Sequence, residues 1–289
     1  MKPFASFLHV LNQLQVRVRH AVASTGIGER RSRQKGSGME FADYRAYEPG
    51  DDTRHLDARL YARLGGFFVR EYEVLKQLPV TILIDGSRSM LHHPQKLELA
   101  RWLANCLGYI ALSGGDVVRF GFWSGRRLIL SPRFHGVSRA DRMFGWVETA
   151  ASEGQAPFDD ALAEAASQIP RNSLAIVLSD LWLEDPTSSL RRLARGGAEI
   201  WAFHILAEEE VDPSQQEGSE VHLVDAETGE EVLLAVDRTT LAAYREALAQ
   251  WRRDLTEALR PIDGRMLEVL TTDDREKFLL GLRGRGLLS

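Results

Sequence analysis

The 289 residues carry 44% hydrophobic and 27% charged side chains, the balance of a soluble globule, which excludes a disordered chain or a fibrous repeat. The formal charge of −5 conceals an asymmetry, because residues 1–38 hold seven Lys or Arg against one acid and the remainder is therefore acidic. A single cysteine excludes an internal disulfide and fits a reducing cytoplasm, and no run approaches the roughly 18 apolar residues of a membrane span.

Phe4, Phe7, Leu8, Leu11, Leu14 and Val18 recur at three- and four-residue spacing and predict an amphipathic first helix. Its apolar start loosely imitates a secretion signal, but Arg17, Arg19 and His20 fall where cleavage would occur, so a signal is rejected and a transit peptide is the minor alternative. Ser24 to Gly38 is rich in Gly, Ser and Arg and reads as a basic linker. Pro49-Gly50 marks a turn, and Phe67 to Val74 reads as a strand. Thr81 to Ile84 is a buried strand. Pro94 opens a long helix with Leu97, Ala100, Leu103, Ala104, Leu107 and Ile110 on its apolar face, and Gly114-Gly115 ends it. Cys106 falls among these apolar residues and reads as core.

Val117 to Trp123 and Leu128 to Leu130 are strands paired around Ser124-Gly125-Arg126, followed by helices over 139–150 and 158–167. Leu174 to Leu178 is a strand ending in Ser179-Asp180, Leu190 to Ala194 is helical, and Glu199 to Leu206 is a strand with His204 as a satisfied core residue. Val221 to Val224 and Glu231 to Leu234 predict a hairpin appended to the sheet. Asp237 caps a helix running through Arg260, a strand covers 266–270 and a helix 273–282. Strands alternating with helices define an α/β fold, a doubly wound, mostly parallel sheet. The expected division is residues 1–75, comprising the helix, linker and Pro-Gly-Asp-Asp segment packed on the main domain, and 76–289 for that domain.

The richest segment is Asp85-Gly86-Ser87-Arg88-Ser89, where oxygens at every second position follow a buried strand. Residues i, i+2 and i+4 of an extended turn point one way, so the three side chains can face one hard divalent cation. On spacing alone the pattern serves equally well as a turn and helix cap. Asp180, also at a strand end, joins Asp85 if the two strands are neighbours, since ligands in open parallel sheets sit beyond the carboxyl ends of strands.

Asp85-Gly86-Ser87-Arg88-Ser89 after a hydrophobic strand resembles the metal-ion-dependent adhesion site of von Willebrand factor A domains, with Asp180 matching that family's later strand-terminal aspartate. The segments Gly36 to Phe41, Arg45 to Asp57, Ala62-Arg63 and Val69-Arg70 resemble the bacterial domain-of-unknown-function family fifty-eight, whose members carry such a domain and whose genes often neighbour those of MoxR-type AAA+ ATPases. The resemblance implies a Mg²⁺ site at Asp85, Ser87, Ser89 and Asp180, and an interaction module working with such an ATPase. It departs in two places: Ala156 stands where the adhesion site has a threonine, leaving the site one ligand short, and Ala58 replaces a tryptophan.

Arg45, Asp51, Asp52 and Arg54 read first as a self-paired turn and second as a partner-docking surface. Arg30, Arg31, Arg33 and Lys35 read as a solvated linker or a clamp on an acidic partner. Enzymatic readings lack their motifs, since there is no phosphate-binding loop, no glycine-flanked serine nucleophile and no second acid two residues after Asp85, where Ser87 stands. His92-His93 offers no zinc spacing. The sequence thus predicts a cytoplasmic, non-catalytic binding protein. Its rivals are a metal-dependent phosphoester hydrolase with Asp159 or Asp160 as base, and nucleic-acid binding by the basic arm, in which no aromatic residue between Ser24 and Gly38 offers stacking.

Overall fold

The computed structural model describes residues 5–19, 39–53, 56–74, 77–151, 157–224 and 231–289. They fall into two units, one drawn from Met1–Ala23 and Leu78–Ser289, the other from Ser24–Gln77. In chain order the elements are α1 (Ala5–Leu11), β1 (Met39–Ala46), α2 (Ala58–Leu64), β2 (Phe68–Val74), β3 (Pro79–Ile84), α3 (Arg88–His92), α4 (Pro94–Ser113), β4 (Val117–Trp123), β5 (Leu128–Leu130) and β6 (Phe134–His135). There follow α5 (Ala140–Thr149), α6 (Phe158–Ala166), β7 (Leu174–Ser179), α7 (Pro186–Leu193), β8 (Glu199–Leu206), α8 (Glu208–Val211), β9 (Glu220–Val224), β10 (Glu231–Ala235), α9 (Arg238–Leu259), β11 (Arg265–Leu270) and α10 (Arg275–Gly281).

In the smaller unit β1 and β2 pair antiparallel from Met39 opposite Val74 to Ala46 opposite Phe68, with an irregularity between Phe41 and Asp43. Asp57 starts α2, one carboxylate oxygen accepting the Arg59 and Leu60 N–H groups at 2.9 and 3.1 Å and the other the Tyr44 hydroxyl at 3.1 Å. The expected strand at 67–74 is β2. β1 and α2 gave no periodic signal, and α2 buries none of its side chains, so no apolar stripe advertises it.

The larger unit is built on one sheet ordered β11-β8-β7-β3-β4-β5, with β6 also paired to β4. The five strands from β11 to β4 are mutually parallel, and β5 and β6 run antiparallel to β4. This is the doubly wound, mostly parallel sheet that the alternation of strands and helices predicts. Side chains alternate across it: Ile82 and Ile84 of β3 join a core with α1, α4, α5 and α10, whereas Leu83 joins a second core with α6, α7 and α9. α4 is buried nearly all round, as expected of a helix that is apolar on most faces, and Cys106 lies within it with its thiol pushed up by burial.

Three predicted elements differ. The first helix ends at Leu11, not Val18, because the following residues are claimed by tertiary partners: Asn12 accepts the Tyr109 hydroxyl at 2.9 Å, and Gln15 and Arg17 form an antiparallel pairing with Ser289 and Leu287. The hairpin of β9 and β10 forms its own two-stranded sheet and is not an edge of the main one. α7 begins earlier than Leu190, at Pro186, where Asp185 caps it by accepting the Ser188 N–H at 2.9 Å. Among the described residues no helix is long and apolar enough to cross a membrane.

Candidate metal centre

Strand order reverses at β3: the chain passes from β3 to β4 on one side, then returns to place β7 on the other. The crevice beyond the carboxyl ends of β3 and β7 is where such sheets bind ligands. Asp85 follows β3 and Asp180 follows β7, and the Asp85 N–H continues the ladder by donating to the Leu178 carbonyl at 3.0 Å. The two acids that the sequence placed at strand ends are thus brought to one point of the sheet.

The loop that carries Asp85 is fixed from within. Its Oδ1 accepts the Ser87 N–H at 2.8 Å, an Asx-type turn, and its Oδ2 accepts the Ser179 hydroxyl at 2.5 Å. Ser179 Oγ in turn accepts the Leu181 N–H at 2.8 Å. Leu181, wholly buried, holds φ at +56°, a left-handed conformation that costs a residue with a Cβ roughly 1–2 kcal/mol and turns the chain sharply after Asp180. The Ser87 and Ser89 hydroxyls lie 3.1 Å apart, Ser89 on the first turn of α3. Asp85, Ser87 and Ser89 therefore lie together at this loop; of the capping alternative the turn made by Asp85 is present, whereas Ser87, at the N-cap of α3, makes no side-chain capping hydrogen bond.

Asp180 is already engaged. Its Oδ2 accepts the Lys96 ammonium at 2.8 Å, and that ammonium also donates to Glu210 Oε1 at 2.7 Å. Lys96 is fully buried on the first turn of α4, and Glu210 on α8 is held in place because its Oε2 accepts the Ala207 N–H at 2.7 Å. Burial, and secondly the charge of Asp180, push the Asp85 carboxyl up to about 7, against the pull of the Ser179 and Ser87 hydrogen bonds. Burial opposes the charge of Lys96, but Asp180 and Glu210 outweigh it and raise its affinity for a proton.

Two carboxylates and two hydroxyls are hard oxygen donors, the kind a Mg²⁺-sized ion takes, and the Lys96 ammonium is bonded to Asp180 and Glu210 but not to Asp85. Among the described residues no three His, Cys, Asp or Glu side chains cluster as metal ligands, so an ion at this place would rest on the serine hydroxyls and water beside the two aspartates. The donor set fits such an ion in kind, and Asp180 would have to serve it while its Oδ2 accepts the Lys96 ammonium.

Sequence reasoning missed Ser179, Lys96 and Glu210. Lys96 had a signal: it lies at i−4 from Ala100 and i−7 from Leu103, on the apolar face of its helix, where a lysine requires a buried partner. His204 is buried as predicted but is not satisfied: neither ring nitrogen has a hydrogen bond among the described residues, and its nearest carboxylate oxygen, on Glu268, is 3.7 Å away and bound to Arg252. Arg45 and Asp51 pair at 2.8 Å, with the Glu48 N–H on the other Asp51 oxygen, and these bonds hold the Asp51 carboxyl below its usual range. Asp52 is exposed on the same turn. Arg54, Ala156 and the basic stretch Arg30 to Lys35 lie outside the described residues.

A doubly wound sheet with an Asp-x-Ser-x-Ser loop and a second strand-end aspartate at its switch point is the arrangement that the sequence resemblance to von Willebrand factor A domains predicts. The chain belongs to the family described as protein of unknown function DUF58, which matches residues 43–254. It is 27% identical over 277 residues to Uncharacterized protein Mb1516 of Mycobacterium bovis and to Uncharacterized protein Rv1480 of Mycobacterium tuberculosis, covering 91% of this chain and 84% of each relative. Among solved structures it is similar to an aerotolerance-related membrane protein of Bacteroides fragilis, with TM-score 0.44 and 14% identity over 72% of this chain and 97% of that one. It is also similar to the conserved hypothetical protein BatB of Bacteroides thetaiotaomicron, with TM-score 0.40 and 12% identity over 72% and 98%.

Proposed function

We propose that this chain is a non-catalytic, cytoplasmic protein-interaction module in which Asp85, Ser87, Ser89 and Asp180 hold Mg²⁺ directly or through water. The observation that carries the reading is the adjacency of β3 and β7, which sets both strand-end aspartates at one crevice with two hydroxyls. When bound, the ion supplies a Lewis-acid position for an aspartate or glutamate of a partner. The chain's own residues orient that position: Ser179 and the Ser87 N–H fix the Asp85 carboxylate, and neutral serine ligands leave the ion enough charge to attract another acid. The family's association with MoxR-type AAA+ ATPases supports a partner in a machine that remodels or matures proteins. Arg45, Asp51, Asp52 and Arg54 are the second surface we assign to partner contact.

A hydrolytic role would need a base, and Asp159 spends one carboxylate oxygen on the Ser189 hydroxyl at 2.7 Å and the other on the Glu184 N–H at 3.1 Å. Capture of a MoxR-type AAA+ ATPase or its client in Mg²⁺ and in chelator, repeated with Asp85→Ala, tests the proposal. Recovery at least tenfold higher for the unaltered chain in Mg²⁺ is expected, and equal recovery in all arms rejects docking through the ion.

A further inference from the structure

The Lys96 ammonium is bonded to the same aspartate that the metal reading requires. It sits on the first turn of α4, is fully buried, and is held by both carboxylates at 2.8 and 2.7 Å. On its far side Glu210 is locked by the Ala207 N–H, and the Tyr244 hydroxyl donates to the Glu210 backbone carbonyl, so the carboxylate that shares the ammonium is itself anchored. A positive charge is therefore built permanently into this corner of the crevice, between Asp180 and Glu210.

We propose that Lys96 is a tethered counter-cation that keeps the divalent-ion affinity of the Asp85–Asp180 crevice low. A divalent ion entering beside Asp180 meets repulsion from an ammonium less than 3 Å from that carboxylate, in surroundings too dry to screen it. Part of the negative charge that would draw the ion in is already neutralised. Glu210 sets the strength of the competition, because the more the ammonium is held by Glu210, the less it takes from Asp180. The inference rests on the proposed site, since it assigns Lys96 a role toward the ion placed there, and it makes the ion exchangeable and not a permanent structural part.

Calorimetric titration of the full chain with Mn²⁺ tests this. Lys96→Met is expected to bind Mn²⁺ roughly tenfold more tightly than the unaltered chain. Because that change strips the compensation from two buried carboxylates and can prevent folding, the charge-balanced pair Lys96→Met with Glu210→Gln is the second arm, with the same gain expected. Glu210→Gln alone, which leaves the ammonium wholly to Asp180, is expected to weaken binding. Either folded Lys96 variant binding no more tightly than the unaltered chain overturns the proposal. If the unaltered chain binds Mn²⁺ in a manner abolished by Asp85→Ala while the Lys96 variants show no gain, only the role of Lys96 falls. If no arm binds Mn²⁺ even at millimolar concentration, the metal site falls with it.

Discussion

Gly86 has no room for a side chain: a Cβ there would lie 2.2 Å from the Trp123 carbonyl oxygen and 2.6 Å from the Phe122 ring. Backbone cannot yield as a flexible side chain does, so Gly86→Ala must push the loop off β4 and carry Asp85 and Ser87 with it. The expected outcome is a loss of about 2 kcal/mol in chemical denaturation together with loss of Mg²⁺-dependent partner capture, although every proposed ligand is still present. Asp116 gives a second test, of pH dependence. Burial pushes its carboxyl up to about 6, opposed by the Leu78 N–H that its Oδ1 accepts at 3.0 Å. The folded state thus holds this proton more tightly than the unfolded chain, so the stabilisation is complete below the ordinary carboxyl range near 4 and is lost as pH rises through about 6. Asp116→Asn keeps an oxygen for Leu78 and never ionises. Its thermal midpoint should exceed that of the unaltered chain at pH 7.5, and the difference should shrink as pH falls and vanish near pH 3, below the ordinary carboxyl range. At this scale the legible residues were those with local spacing, Asp85, Ser87 and Ser89. Ser179, Lys96 and Glu210 were hidden because their partners come from segments 84 to 114 residues away, and spacing along the chain carries no record of such distances.

Among the elements, regular amphipathic or wholly apolar segments were readable and irregular ones were not. β8 runs over the expected Glu199–Leu206, and α9 starts after Asp237, whose carboxylate accepts the Thr240 N–H at 2.8 Å. α1 was overextended because Leu14 and Val18 keep a helical spacing while serving a different purpose: Leu14 is buried, and Val16 bridges to Leu288 in extended pairing. Tertiary hydrogen bonds outweighed a propensity worth only tenths of a kcal/mol per residue. In the smaller unit the same competition favours Asp57, which ties the start of α2 to Tyr44 of β1 through its two oxygens. Asp57→Ala removes a helix cap and leaves that hydroxyl without this partner. It should cost about 1–2 kcal/mol, and hydrogen exchange should rise at the α2 amides while those of β3 and β7 stay protected.

For the whole molecule, the decisive fact is the strand order. A β3 that sends its crossover one way and receives β7 on its other flank creates the only kind of position in an open parallel sheet where two strand ends part company from their connections. The alternation of strands and helices announced such a sheet, but not which strands would be neighbours, and the neighbours are what turn two isolated aspartates into one crevice. The larger unit also closes upon itself: Gln15 exchanges two backbone hydrogen bonds with Ser289, at 3.2 and 3.0 Å, and the Arg17 N–H donates to Leu287 at 2.8 Å. This clasp has a mechanical consequence. Gln15 and Ser289 stand at the same end of the ladder, so a pull that draws the segment before Gln15 away from Ser289 loads the bonds one after another, like a zip, and not all at once in shear. Traction there must also draw Phe7, Leu11 and Leu14 on one side and Leu287 and Leu288 on the other out of the core, so the apolar contacts, and not the backbone bonds of the clasp, set the resistance.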